Sequence, residues 1–230
     1  MPEIMDYQHM DKRAFKDKVY GELARVAKAL ANARRMEIID LLAQGPFSVE
    51  QIAQQTDMSI ANTSQHLQVL KTAWLVEVTR KGNFIFYHLS GEKVFDAWRA
   101  LRELGMVQSA EVERLMHDFR KSKHKLESVT IDELLRKMAL QEVIVLDVRP
   151  EEEFRRGHIH QALSMPVEHL SGRFKELPSD KEIIAYCRGP LCVFADEAVT
   201  LLHEKGFNAK RLEEGFPDWQ AKGLPVEISE

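Results

Sequence analysis

The chain's only two thiols lie five residues apart, in Cys187-Arg188-Gly189-Pro190-Leu191-Cys192. The apolar run Ile183-Ile184-Ala185-Tyr186 ahead of them reads as a strand, and the Ala- and Val-rich stretch behind them as a helix. A cysteine between a strand's end and a helix's start faces unpaired backbone N–H groups. With the helix dipole, those groups stabilise a thiolate and cradle an anion. Arg188 adds a positive neighbour. A free cysteine is also often a plain core residue, but the loop position beside Gly189 and Pro190 favours the reactive thiol. On that reading Cys187 is the more reactive thiol and titrates below an unperturbed cysteine, whose pKa is about 8.5.

A second chemistry is available in Ser59–Lys71. Ile60, Thr63, Leu67 and Leu70 share one helical face and are expected to pack inward, which leaves Asn62, Gln65, His66 and Gln68 outward. Asn and Gln can bond adenine edges in a bidentate way, so this outer face is capable of base readout; it would equally serve as an ordinary solvated surface. A short helix precedes it, opened by the capping-box pair Ser48 and Gln51 and running through Gln55. Two short helices joined by a tight turn can place the second in a major groove. A looser set, His117, Asp118, His124 and Glu127, has its two histidines seven apart on one helical face. Surface histidines beside a charged linker are commoner than ligands, so no metal and no cofactor is expected.

The elements that position these residues follow from periodicity and punctuation. Leu23, Val26, Ala27 and Leu30 fall at helical spacing, and a second helix covers Ala33–Ala43 until Gly45-Pro46 breaks it. Val76–Thr79 and Asn83–Leu89 flank Arg80-Lys81-Gly82-Asn83, a turn composition that predicts a β-hairpin. The pattern is helical from Glu92 to about Lys125, long for a single globular helix. Past Ser128 the character changes. Val129–Met138 reads as a helix, Val143–Asp147, Glu182–Tyr186 and Ala209–Leu212 as strands, and Val193–Lys205 as a helix; this alternation predicts a parallel α/β sheet.

Composition agrees with two packed domains. The chain has 230 residues, 44% hydrophobic and 30% charged, enough for two cores and unlike a disordered segment. No apolar run approaches the ~18 residues of a membrane span, and no secretory leader is visible. Two cysteines are too few for a disulfide-built scaffold, so a soluble cytoplasmic protein with no membrane partner is expected. Residues 1–105 hold 14 basic and 13 acidic residues, whereas 128–230 hold 13 and 19. Only the first part could approach nucleic acid through a local patch.

Two resemblances sharpen this. Residues 15–105 resemble the winged helix-turn-helix of ArsR/SmtB-type repressors, most strongly in Ser64-x-His66-Leu67-x-x-Leu70, Leu75-Val76 and a hairpin ending Tyr87-x-Leu89. The resemblance implies a homodimer on a palindromic DNA operator, with Ser59–Lys71 as recognition helix and Ser59, Asn62, Thr63, Gln65 and His66 as candidate DNA contacts. Arg80 and Lys81 would lie on the wings near phosphate. Dimer contacts would come from the first and last helices, where Val94, Trp98, Leu101, Leu104, Val107, Leu115 and Phe119 supply apolar surface. Metal-sensing members carry cysteines in the helix before the recognition helix; Val49–Gln55 has none, so that thiolate site is absent.

Residues 128–230 resemble a single-domain rhodanese, through Leu146-Asp147-Val148-Arg149, Glu153-Phe154-x-x-Gly157-His158-Ile159, the Cys187–Cys192 loop, and Glu214-Gly215-Phe216-x-x-Trp219 leading to Gly223-Leu224-Pro225-Val226. This implies that Cys187 is the nucleophile that accepts sulfane sulfur as a persulfide. The N–H groups of Arg188, Gly189, Pro190, Leu191 and Cys192 would form an anion-binding loop, and the partners would be a sulfane-sulfur donor and a thiol acceptor. Asp147, Arg149 and His158 are expected to be structural. Cys192 stands where the family usually has Ser, Thr or Ala. It could resolve a persulfide or sulfenate into a disulfide, or simply fill the same space.

The expected architecture is therefore a mainly α winged helix-turn-helix with a β-hairpin wing (1–120), a linker (121–128) and an α/β rhodanese-like domain with a parallel sheet (129–230). The expected function is a dimeric DNA-binding regulator that senses or carries reactive sulfur at Cys187. The alternative is a working thiosulfate or polysulfide sulfurtransferase with an independently acting DNA-binding domain.

Overall fold

A computed structural model describes residues 10–121 and 127–229. The chain divides into two compact units, residues 1–42 with 46–94, and residues 43–45 with 95–230.

In the first unit, α1 (Lys12–Leu30), α2 (Ala33–Leu42), β1 (Phe47–Ser48), α3 (Val49–Gln55) and α4 (Ile60–Thr72) are followed by β2 (Val76–Lys81) and β3 (Phe84–Leu89). The expected capping box forms: Ser48 Oγ accepts from Gln51 N–H at 3.3 Å, and Gln51 Oε1 accepts from Ser48 N–H at 2.9 Å. Ser59 Oγ caps α4 by accepting from Asn62 N–H at 3.2 Å. Gly82 adopts φ +60° in the two-residue turn that pairs Lys81 with Phe84, a conformation glycine enters without cost. β1 adds to β3, giving an antiparallel sheet of order β1-β3-β2. Ile38, Ile39, Ile52, Leu67 and Leu70 are completely buried and form the centre of this unit. Ile60 departs from its expected inward position. It is the first residue of α4 and stands 53% exposed, beyond the packed face.

The stretch expected as one long helix is two. α5 (Glu92–Gln108) begins in the first unit and continues in the second; α6 (Ala110–Lys121) follows after Ser109. Ser109 Oγ accepts from Val112 N–H at 3.3 Å, so a serine cap restarts the helix. Residues 122–126, with most of the expected linker and His124, lie outside the described residues.

The rest of the second unit comprises β4 (Ser128–Val129), α7 (Ile131–Ala139), β5 (Val143–Asp147), α8 (Glu151–Arg156), β6 (His158–Ile159), β7 (Leu163–Ser164), α9 (Val167–Arg173), β8 (Glu182–Tyr186), α10 (Phe194–Glu204), β9 (Ala209–Leu212), α11 (Phe216–Ala221) and β10 (Val226–Glu227). Val129, expected in a helix, is in β4, because Thr130 caps α7 through Glu133 N–H at 3.2 Å. Five strands form a parallel sheet of order β4-β9-β8-β5-β7. Both faces are covered, as parallel sheets require. Leu146, Ile183 and Ala185 pack with Ala195, Ala198, Val199 and Leu202 on one side. Val145, Ile184 and Tyr186 pack with Ile131, Leu134 and Trp219 on the other. Among the described residues no helix is long and apolar enough to cross a membrane.

Asp147 and Arg149 sit at the carboxyl end of β5 with no exposed side-chain surface, 2.6 Å apart. Tyr186 O–H donates to the same carboxylate at 2.5 Å and accepts from Ile159 N–H at 3.1 Å. Asp147→Ala leaves the guanidinium buried without its counter-ion and should lower stability by about 3–5 kcal/mol. Chemical denaturation of the purified variant checks this; a loss under 1 kcal/mol would contradict it.

Candidate functional site: a two-thiol loop and an exposed helix face

Cys187 directly follows β8, and the chain then loops through residues 188–193 to α10. The loop is gripped from behind. Phe216 N–H donates to the Cys187 carbonyl at 3.1 Å. Gly215 lies so close to the Arg188–Gly189 peptide that a Cβ there would stand 2.3 Å from backbone atoms, so only glycine fits. Gln44 Nε2 donates to the Arg188 carbonyl at 3.2 Å, and Gln44 Oε1 accepts from Arg149 at 3.1 Å. Arg102 Nη2 and Asp218 Oδ1 form a buried pair at 2.5 Å, and Asp218 Oδ2 accepts from Gly215 N–H at 3.3 Å. Arg120 Nη2 donates to the Pro190 carbonyl at 2.7 Å.

Within the loop Cys187 Sγ donates to the Gly189 carbonyl at 3.9 Å and to the Cys192 carbonyl at 3.7 Å. Cys187 is 3% exposed, and burial pushes its thiol up, with the hydrogen bond and charge of Cys192 adding to the effect. Cys192 is held below the ordinary thiol range. The hydrogen bond from Cys187 is the main cause, helped by the N–H groups of Arg188 and Phe194 and the charge of Arg188. The expectation that the Cys187 thiol titrates below an unperturbed cysteine meets its burial, which penalises the thiolate at that position.

The anion cradle also differs from the expected run of N–H groups. Pro190 has no N–H, and the N–H of Cys192 is spent on the Gly189 carbonyl at 3.1 Å. Phe194 and Ala195, at the start of α10, replace them, Ala195 N–H reaching Cys187. Arg188 points into the protein, paired with the buried Glu153 and lying 5.3 Å from the Phe194 ring. Leu191 is 43% exposed at the loop's outer edge.

In the first unit, Asn62, Gln65 and Gln68 are exposed on α4, and His66 is half-buried beside them. Burial, then the charges of Arg35 and Arg34, lower the His66 pKa, which keeps the imidazole neutral at pH 7. Thr63 is removed from the expected DNA contacts: it is completely buried, and its hydroxyl donates to the Ser59 carbonyl at 3.0 Å. Ser59's side chain is occupied in capping. Arg80 and Lys81 are exposed at the hairpin tip. His117 and Asp118 are both about two-thirds exposed, and among the described residues no group of three or more His, Cys, Asp or Glu could hold a metal.

Residues 32–78 match the bacterial regulatory proteins of the arsR family, and residues 130–222 the rhodanese-like domain. The HTH-type transcriptional regulator Rv0324 of Mycobacterium tuberculosis is 41% identical over 206 residues, covering 90% of each chain. The chain belongs to the arsR family and carries a C-terminal rhodanese-like domain. A sulfurtransferase of Allochromatium vinosum is 29% identical to this arsR-family regulator across 87 residues, 37% of this chain and 79% of its own. A homodimeric winged helix-turn-helix domain from Mycobacterium bovis, solved in solution, is 38% identical over 44% of this chain and 93% of its own, with a TM-score of 0.41.

Sequence reasoning missed Gln44, Arg102, Arg120, Asp196 and Asp218 around the loop. The available signal was polarity out of place: Asp196 and Asp218 are 1% and 2% exposed in otherwise apolar helix faces.

The thiol pair makes a signed prediction. Cys192→Ala removes the neighbour that raises Cys187, so Cys187 should alkylate at lower pH than in the wild type. Cys187→Ala removes the S–H donor, so Cys192 should need higher pH. Iodoacetamide rates against pH in both variants check this; a midpoint for Cys187 that rises in Cys192→Ala, or one for Cys192 that falls in Cys187→Ala, would refute the coupling.

Proposed function

We propose that this arsR-family regulator is a DNA-binding dimer whose second unit takes up sulfane sulfur at Cys187 and whose sulfur state sets its hold on DNA. The observation that carries the reading is the pair of cysteines in one short loop between β8 and α10, with Cys187 Sγ 3.7 Å from the Cys192 carbonyl. In the singly ionised pair, a proton on Cys187 passes to Cys192 and leaves a thiolate on Cys187. That thiolate attacks the outer sulfur of a thiosulfate-type donor, forming Cys187–S–S⁻ and releasing sulfite. After protonation, thiolate Cys192 attacks the Cys187 sulfur; the S–S bond to the outer sulfur breaks, a Cys187–Cys192 disulfide forms and HS⁻ leaves.

DNA binding is supported by the exposed amide side chains Asn62 and Gln65 beside a neutral His66 on α4, with Arg80 and Lys81 on the hairpin for phosphate. Dimerisation is supported by large apolar side chains left open to water: Phe15, Tyr20 and Leu23 on α1, and Leu104, Val107, Leu115 and Phe119 on α5 and α6. A palindromic operator follows from two-fold symmetry. The likeness to a sulfurtransferase favours turnover as well as sensing, and thiosulfate turnover with and without DNA separates the two.

Mass spectrometry after polysulfide treatment should find the added sulfur on Cys187 in Cys192→Ala, a Cys187–Cys192 disulfide in wild type, and neither in Cys187→Ser. Sulfur on Cys192 alone would overturn the assignment. At the DNA face, Gln65→Ala should cost about 1–3 kcal/mol on a selected operator and far less on random duplex. Arg80→Ala should weaken binding to every sequence and flatten its salt dependence. Equal wild-type binding to operator and random DNA would remove the sequence-reading claim.

A further inference from the structure

Asp196 occupies a costly position. It lies in the first turn of α10, 1% exposed, and among the described residues neither of its carboxylate oxygens accepts a hydrogen bond. Charge alone compensates it: Arg120 Nε is 3.5 Å away and Arg211 Nε 3.4 Å. The residue before it, Ala195, sends its N–H to Cys187, and Phe194 sends its own to Cys192. An anion in that turn opposes a thiolate on the same helix terminus unless a cation neutralises it. Arg120 meets this need from α6 and with a second nitrogen holds the Pro190 carbonyl at 2.7 Å, in the middle of the loop. One guanidinium thus touches both the loop and the helix start whose N–H groups serve the thiols.

We propose that Arg120 is a positioning residue for the sulfur loop, tying the Pro190 carbonyl to the Asp196 carboxylate so that the N–H groups of Phe194 and Ala195 stay trained on the two thiols. Arg120 lies outside the rhodanese-like segment 130–222, so that segment alone lacks part of its own loop support. The proposal rests on the sulfur site described above and adds to it the group that keeps that site ionisable. The other charges around the thiols are Arg188, already paired with Glu153, and Arg211, which shares Asp196.

The test uses the full chain and reads alkylation rate against pH for each cysteine, resolved by peptide mass spectrometry. Alkylation reports both thiols whether or not they carry sulfur. A loop that never takes up persulfide therefore overturns the sulfur reading and leaves this test intact. Arg120→Met removes the charge and the hydrogen bond, and should slow alkylation at neutral pH by roughly 2–10-fold while moving the pH midpoint upward. Asp196→Asn should move the midpoint the other way, and the double variant should return it toward wild type. Arg120→Lys, which keeps the charge, should lie between wild type and Arg120→Met. Should Arg120→Met fail to fold, Asp196→Asn and Arg120→Lys still decide. Midpoints that overlay the wild type in the folded variants, with only thermal stability reduced, would overturn the proposal and leave Arg120 a structural residue.

Discussion

An ion pair that water cannot reach governs the second unit. Asp147 accepts from the backbone N–H of Arg149 at 3.0 Å, from its guanidinium and from Tyr186, so each oxygen of the carboxylate is satisfied. A buried carboxylate without such partners would be neutralised or expelled. Arg149 then spreads its remaining donors outward, to the Gly157 carbonyl at 2.7 Å and to Gln44, while its plane lies 4.3 Å from the Phe216 ring. Phe216 and Gln44 in turn hold the carbonyls of Cys187 and Arg188. The loop that carries the thiols is thus built outward from one charge pair at the end of β5, and its backbone has little freedom to drift.

That rigidity explains how two thiols in one short loop acquire different chemistry. Cys187 belongs to the same apolar cluster as Leu146 and Ala195, and there the charged form is penalised. Cys192, five residues on and partly open, receives an S–H donor and two backbone N–H groups. In the proposed sulfur chemistry the pair supplies a nucleophile and a base from the same loop.

Much of this organisation is legible in the sequence because it is local. The apolar runs Val143–Asp147 and Ile183–Tyr186 declare buried parallel strands, Ser48 with Gln51 declares a helix start, and Gly82-Asn83 declares the hairpin turn. What is not legible arises from contacts without local signature. Gln44 and Arg188 are 144 residues apart, Arg102 and Asp218 are 116, and Arg120 and Pro190 are 70. Periodicity says nothing about such pairs. The burial of Cys187, the residue after β8, is likewise a tertiary matter that loop composition does not encode. Thr63 and Ile60 show the same limit on α4: helical spacing assigns a face, but which end of that face is covered is a tertiary matter.

The central claim is that chemistry at Cys187 and Cys192 changes the affinity of the same polypeptide for DNA. The decisive measurement is affinity for an operator selected by the protein from random duplexes, taken at one salt concentration before and after polysulfide treatment, in wild type and Cys187→Ser. The account predicts a shift of roughly 5–150-fold in the wild type, corresponding to a coupling of about 1–3 kcal/mol, and none in the variant. Unchanged wild-type affinity, with modification of Cys187 verified by mass, would contradict it.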